Sequence, residues 1–262
     1  MSDAHTPCSV LHITDLHLLS GADQRLYGVD TTASLVAVLN RALSERRPDL
    51  LLVTGDIAHE PSESTYRRVR ELLESFYDGA MLCLPGNHDV LVPMRAAGLA
   101  MDPVELGGWW VTGWDTHEDD RPAALFDESR FQALQDALAT VGERHVLIAT
   151  HHPLVDVGCP WLDKDRLQNA AELLECLSEH SAVKALVFGH AHQTVEAHYR
   201  HIQLLGTPST CFQFEPASLS FGIDDAAPGY RWLNLSPDGA LTTEVGRADD
   251  FELTIDLARR NP

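Results

Sequence analysis

Five short polar groups in this 262-residue chain have side chains able to bind metal ions or carry protons: Asp15 with His17, Asp56, Asn87-His88-Asp89, His151-His152, and His190 with His192. Each follows an apolar run, at residues 11–14, 51–54, 81–84, 146–149 and 185–188, and glycine marks three of the five junctions, as Gly55, Gly86 and Gly189. One such group is ordinary turn chemistry, because Asn and Asp favour turns and Gly supplies positive φ. Five at the same position relative to a buried strand call for another cause. Imidazole, carboxylate and amide oxygen without thiolate suit iron, manganese, zinc or cobalt rather than a structural cysteine site. Seven such ligands exceed the needs of one tetrahedral zinc. They suit two ions sharing a bridging carboxylate, roughly 3.5–4 Å apart. Two divalent ions against Asp15 and Asp56 leave a net positive hole, because Asn87 and the imidazoles are neutral. An anionic phosphate ester fits such a hole.

Convergence requires elements that bring these ends together. Residues 8–14, 50–54, 81–84, 109–114, 146–149 and 185–188 read as strands. Between them, residues 31–45, 62–76, 127–139 and 170–177 carry apolar side chains at helical spacing, with Ser62 placed to cap the second helix. Beyond 188 the helical signal fades, and 195–199, 202–205, 230–235 and 241–245 read as strands. The last two are joined by the hairpin signal Ser236-Pro237-Asp238-Gly239. A front that alternates strand and helix and a strand-rich back predict two sheets face to face with helices outside. In open α/β sheets the carboxyl ends of the strands converge on a ligand crevice.

Composition narrows the function classes. Apolar residues make up 44% of the chain, enough for a sizeable core. There are 39 acidic residues against 19 basic ones, a formal charge of −20, which disfavours nucleic acid as a partner. No apolar run approaches the roughly 20 residues of a membrane span, so no membrane partner is expected. Residues 1–7 are polar and lack a signal-peptide core, which points to the cytoplasm. Five scattered cysteines without a CxxC pair fit reduced thiols. No repeat or linker divides the chain, so one domain over 1–262 is expected, with 1–7 and 248–262 as peripheral tails.

The ordered set D-x-H, G-D, G-N-H-D, H-H and G-H-x-H resembles the calcineurin-like metallophosphoesterase superfamily. The resemblance implies an α/β fold, a four-layer α/β/β/α sandwich of two mixed sheets. By position it makes Asp15, His17 and His192 ligands of one metal and Asn87, His151 and His190 ligands of the other. Asp56 bridges them, and His88 is the catalytic histidine beside them. A narrower similarity, to bacterial class III 3′,5′-cyclic AMP phosphodiesterases, runs through residues 28–29, 158–163, Leu167 with Asn169, 189–193, 208–214 and 228–231. It implies a cyclic nucleotide substrate and iron or manganese as the first choices of metal, zinc or cobalt being alternatives. Residues 57–61 depart from that pattern and leave nucleotide selectivity open.

The chemistry implied is attack of a metal-bridging hydroxide on phosphorus, with His88 stabilising charge or protonating the leaving 3′-oxygen, to give a 5′-nucleotide. Asp89 is expected to orient its turn. His59, His152 and Trp161 are candidate substrate contacts. The alternative is a metallophosphoesterase of broader range acting on other phosphodiesters or monoesters, distinguished only by the loops at 57–61, 115–122 and 156–169. A non-catalytic scaffold is disfavoured because every ligand position is filled. A homodimer is the association left open.

Overall fold

The computed structural model describes residues 6–21, 23–118 and 124–258. His5, the tail ends at 1–5 and 259–262, and positions 119–122 of the expected cleft loop lie outside the described residues.

Two mixed sheets form the centre. In the first, β1 (Cys8–Ile13) pairs in parallel with β2 (Leu50–Thr54), which pairs in parallel with β3 (Ala80–Leu84). On its other side β1 pairs antiparallel with β12 (Gly229–Leu235), which pairs with β13 (Leu241–Arg247). In the second sheet β5 (Trp109–Gly113), β6 (His145–Ala149), β7 (Val183–Phe188) and β9 (Ile202–Gly206) are parallel neighbours. Antiparallel β4 (Val104–Leu106) and β8 (Val195–Tyr199) lie at its edges. Helices α1 (Thr31–Glu45) and α2 (Glu63–Phe76) cover the outer face of the first sheet through Leu35, Leu39, Val69 and Leu73. Helices α4 (Glu128–Ala139) and α5 (Ala170–Ser178) cover the second through Leu134, Leu138, Leu173 and Leu177. Asp30, Ser62 and Asp127 begin α1, α2 and α4, each accepting from the backbone N–H three residues on. The architecture is therefore the expected α/β/β/α sandwich.

Elements without a strong periodic signal were not anticipated: α3 (Leu91–Ala96), β4, and the hairpin of β10 (Gln213–Phe214) and β11 (Ile223–Asp224). Helix α3 has only six residues, contains Pro93 and lacks a side-chain cap. The strands have two or three residues each. The segment read as a C-terminal tail is tied down over part of its length. Asp256 N–H donates to Tyr27 O at 2.7 Å, and Phe251 packs against the core. No helix among the described residues is long and apolar enough to cross a membrane.

Between the sheets, Val10, Leu52 and Leu84 meet Val111, Leu147 and Val187 in one apolar layer. Buried polar side chains around His12 and Arg231 interrupt it. His12 is fully buried, and its two ring nitrogens lie 2.7 Å from the hydroxyls of Thr54 and Thr207, one from each side of the sandwich. Opposite it in the β1–β12 register, buried Arg231 donates to Gly206 O at 2.9 Å and pairs with Glu196 at 3.1 Å. Burial, and then the Arg231 charge, lower the His12 imidazole to about 3. Its folded value is below its unfolded one, so the neutral ring stabilises the fold above the ordinary histidine range. That stability is lost as pH falls from the unfolded value towards the folded one. Unfolding should therefore take up about one extra proton in that window, a slope of roughly 1.4 kcal/mol per pH unit. His12→Gln should destabilise the protein by about 1–3 kcal/mol near pH 8, because it disturbs two buried hydroxyls. The gap to the unsubstituted chain should narrow towards pH 5 in denaturant titrations. A gap constant across that range would refute this account of His12.

Candidate metal centre

The five polar groups lie at the carboxyl ends of β1, β2, β3, β6 and β7 and meet in one place. Their backbone is unusual. Asp15 (φ 53°), His17 (46°), Asp56 (47°), His190 (64°) and His192 (48°) all occupy the left-handed region, which costs free energy for residues other than glycine. Ladder-like bonds hold the turns in place: Asp15 N–H donates to Gly55 O at 3.0 Å, His17 N–H to Asp56 O at 2.8 Å and Gly189 N–H to His151 O at 3.1 Å. Gly86 does not owe its place to positive φ, as turn chemistry suggested, because it is absent from the positive-φ glycines. Space is the reason: a Cβ there would lie 2.2 Å from Asp56 Oδ1.

Asp89 joins the β2 and β3 turns. Its carboxylate accepts from the N–H groups of Ile57 (3.0 Å), Ala58 (3.0 Å) and Gly86 (2.8 Å), and from the Tyr66 hydroxyl (3.0 Å). Asp56 and Asn87 are thereby held at a fixed separation. Burial and the neighbouring Asp56 raise the Asp89 carboxyl to about 6, opposed by those backbone donors.

The donor atoms converge. His17 Nε2 lies 3.2 Å from His192 Nε2 and 3.4 Å from Asp56 Oδ2. His192 Nε2 lies 3.5 Å from Asp15 Oδ1, and His151 Nε2 lies 3.5 Å from Asp56 Oδ1. Asn87 Oδ1 sits 3.0 Å from His151 Nε2 and 2.8 Å from His190 Nδ1. The proton positions of two rings follow from their far sides: His192 Nδ1 donates to Phe212 O at 2.8 Å, and His151 Nδ1 to Thr54 O at 2.7 Å. In the neutral rings the proton is on Nδ1, so each Nε2 presents a lone pair. Lone pairs of His151 and Asn87 therefore face one another inside the protein. Buried acceptors arranged in this way need a cation between them. His190 Nε2 is also buried without a hydrogen-bond partner. The residues fit a pair of metal ions.

Titration follows the same logic. Burial lowers His190 to about 3 and His17 well below its usual value, so both rings are neutral at physiological pH. Asp56 is driven well below the carboxylate range, because its imidazole neighbours, His151 foremost, outweigh the burial that would raise it. At His192 burial also lowers the pKa, but Asp15 overrides it and raises the ring to about 10. A proton at that Nε2 occupies the place where Asp15, His17 and His192 could share a cation.

A cavity of about 170 Å³ opens beside the cluster. His17, Asp56, Asn87, His190 and His192 line one side, together with half-buried His88. The His88 ring stands edge-on to His17 at 4.9 Å, and the backbone N–H of residue 88 donates to Asp56 Oδ1 at 2.9 Å. Trp161, Leu162, Asp165 and Phe214 complete the lining. Trp161 thus faces the cavity, packed edge-on against Phe214 at 5.0 Å. His59 stacks on His88 at 5.0 Å, with Nδ1 3.4 Å from His17 Nδ1, so it touches these two rings instead of lining the cavity. His152 does not line the cavity. It is 0% exposed, lies behind His151 and His190, and has its Nδ1 2.9 Å from the Thr116 hydroxyl. Three contributors carried no side-chain signal of their own: the carbonyls of Thr54 and Phe212, and Phe214, whose ring stacks on His192 at 4.2 Å.

Comparison with known proteins agrees with this geometry. Residues 8–194 match the model of the calcineurin-like phosphoesterase family. The chain is 36% identical to the 3′,5′-cyclic adenosine monophosphate phosphodiesterase CpdA of Pseudomonas aeruginosa, over 97% of this chain and 96% of that one. It is 37% identical to CpdA of Escherichia coli K12, over 95% and 93%. It is also 36% identical to a 3′,5′-cyclic-nucleotide phosphodiesterase of Nostoc, over 92% of both. The fold is shared with a dimetal phosphatase from Danio rerio at a TM-score of 0.63 and 13% identity, covering 91% of this chain and 98% of that one. The purple acid phosphatase of yellow lupin gives a TM-score of 0.67 at 12% identity, covering 96% and 53%. By its strand-end cluster, its sandwich and its matched sequence, the chain belongs to the calcineurin-like phosphoesterase family.

Proposed function

We propose that this chain is a dinuclear-metal phosphodiesterase that hydrolyses 3′,5′-cyclic AMP to 5′-AMP. The convergence of buried imidazole, carboxylate and amide acceptors at the strand ends carries this reading. Identity of 36–37% to enzymes named for this substrate supports it. Asp15, His17 and His192 would hold one ion, Asn87, His151 and His190 the other, and Asp56 would serve both. Iron and manganese suit this N/O set. When bound, the ions supply an activated water and neutralise charge on the phosphoryl oxygens. The protein contributes position: the far-side carbonyl bonds of His151 and His192 aim their free nitrogens inward. His88 lies on the cavity wall outside the ligand set and donates a proton to the departing 3′-oxygen. Trp161 and Phe214 offer an apolar wall for the nucleoside.

Chelation should abolish turnover, and manganese or iron should restore it better than magnesium. Full activity in metal-free protein would rule out the two-metal reading. Purified, metal-loaded protein should convert cyclic AMP to 5′-AMP. Cleavage of an aryl phosphodiester without cleavage of cyclic AMP would instead establish a broader-range esterase. Asn87→Ala should lose one ion and recover part of its activity in excess metal. His88→Ala should keep both ions yet lose roughly 10²- to 10⁴-fold in kcat on cyclic AMP, the usual size of a lost general acid. That loss should shrink on a nitrophenyl ester, whose leaving group needs no proton. Metal analysis with rates on both substrates checks it, and loss of an ion from His88→Ala would overturn the proton-donor role.

A further inference from the structure

The cavity lining outside the cluster holds a carboxylate that the proposed chemistry does not use. Asp165 lines the cavity of about 170 Å³ together with the cluster side chains. It sits in a hydrogen-bonded turn. Leu162 and Asp163 N–H both donate to Cys159 O at 2.9 Å, and Asp165 N–H donates to Leu162 O at 2.9 Å. Buried Leu162 and Leu167 anchor the turn on either side. The neighbouring acids have partners: Asp163 accepts from Val157 N–H at 2.7 Å, and Asp156 pairs with Arg166 at 2.8 Å. No donor among the described residues bonds the Asp165 carboxylate. Burial raises its pKa, and the charge of Lys164 opposes that.

A half-buried carboxylate beside an anion-binding site repels the phosphate, so it gains only from a neutral donor elsewhere on the substrate. The cavity is smaller than the roughly 300–1,000 Å³ usual for a whole drug-sized ligand. It has room for the fused ring of phosphate and sugar, with the base towards Trp161 and Phe214. In a 3′,5′-cyclic nucleotide both the 3′- and 5′-oxygens are esterified, which leaves one hydroxyl donor on that fused ring, the 2′-OH. The other polar side chains lining the cavity belong to the metal cluster, to proton transfer as His88, or, as the unpartnered indole N–H of Trp161, can only donate, so Asp165 is the acceptor outside the cluster.

We infer that Asp165 is a specificity-determining residue that accepts a hydrogen bond from the ribose 2′-hydroxyl of the substrate. The inference rests on the reading of this chain as a cyclic-nucleotide phosphodiesterase. It makes the enzyme selective for ribo- over 2′-deoxyribo-cyclic nucleotides. It also disfavours 2′,3′-cyclic isomers, whose 2′-oxygen carries no proton.

The test is a cycle of two substrates and three proteins, with cyclic AMP and 2′-deoxy cyclic AMP measured on the unsubstituted enzyme, Asp165→Asn and Asp165→Ala. The unsubstituted enzyme should show a KM roughly 10- to 100-fold lower for cyclic AMP, the range for a hydrogen bond to a charged acceptor, with little change in kcat. Asp165→Ala should bring the two KM values together, chiefly by raising that of cyclic AMP. Asp165→Asn, which keeps a neutral acceptor, should fall between. Metal content and thermal midpoint verify that each variant is folded. Equal KM values on the unsubstituted enzyme would overturn the inference without any variant, as would discrimination that survives in Asp165→Ala. A third substrate, the cyclic monophosphate of purine riboside, separates the sugar from the base. If Asp165→Ala erases preference for the 6-amino group and keeps that for the 2′-hydroxyl, the carboxylate reads the base and the inference falls. An enzyme that cleaves an aryl diester but neither cyclic nucleotide removes the underlying reading instead.

Discussion

Buried acceptors that face one another are the constraint on which the rest of this molecule depends. His151 Nε2 and Asn87 Oδ1 are 3.0 Å apart, and His151 has its proton fixed on the far side by Thr54 O. His17 and His192 bring their Nε2 atoms within 3.2 Å beside two carboxylates. Such a set is repulsive unless positive charge enters it. Asp15 raises the neighbouring His192 ring, so a proton there is one source of that charge. The fold holds these groups in an arrangement whose favourable state includes cations.

Holding them has a backbone cost. Five of the residues concerned lie in the left-handed region, where a side chain crowds its own carbonyl. The sandwich can absorb that cost because each turn is the direct continuation of a fully buried strand end, and the turns bond to one another. His17 N–H reaches Asp56 O, and Asp89 gathers three N–H groups from two turns. The tight glycine at 86 belongs to the same device, since a Cβ there would strike the carboxylate it flanks. His12 extends the connection into the core. It bonds the hydroxyl of Thr54, whose carbonyl fixes His151, and through Thr207 it reaches the second sheet.

What could be read from the chain alone follows from these roles. Helix α1 and strands β2 and β8 have the bounds their periodicity gives, because burial on one or both faces leaves a regular imprint. The convergence of the polar groups was legible because strand ends in such sheets share one edge. Direction was less legible. His151 and His152 are neighbours in sequence and their rings touch at 5.0 Å, yet His151 Nε2 meets Asn87 Oδ1 while His152 Nδ1 meets the Thr116 hydroxyl, a difference set by the bend they occupy and not by residue type. The six-residue α3 and the two-residue strands of the β10–β11 hairpin are too short for any period to register. The supporting carbonyls of Thr54 and Phe212 could not be read at all, since every residue has one.

The two walls of the cavity differ in origin, and that difference separates chemistry from selectivity. One wall is made of strand ends locked into the sheets, where moving any residue disturbs several turns at once. The other is made of loops: Trp161, Leu162 and Asp165 come from the segment before α5, and Phe214 from a two-residue strand. The loop wall carries few bonds to the sheets. Its contacts are aromatic, Trp161 with Phe214 and Phe221, and local, within the turn that begins at Cys159. Apart from Phe214, which stacks on His192 at 4.2 Å, these residues make none of the contacts that set the distances within the cluster. A phosphoesterase built in this way can keep its reaction while its choice of ester changes. The acidic surface fits the same division: a net charge of −20 does not draw an anion towards the protein at large, so attraction must come from the cluster and recognition from the loop wall it faces.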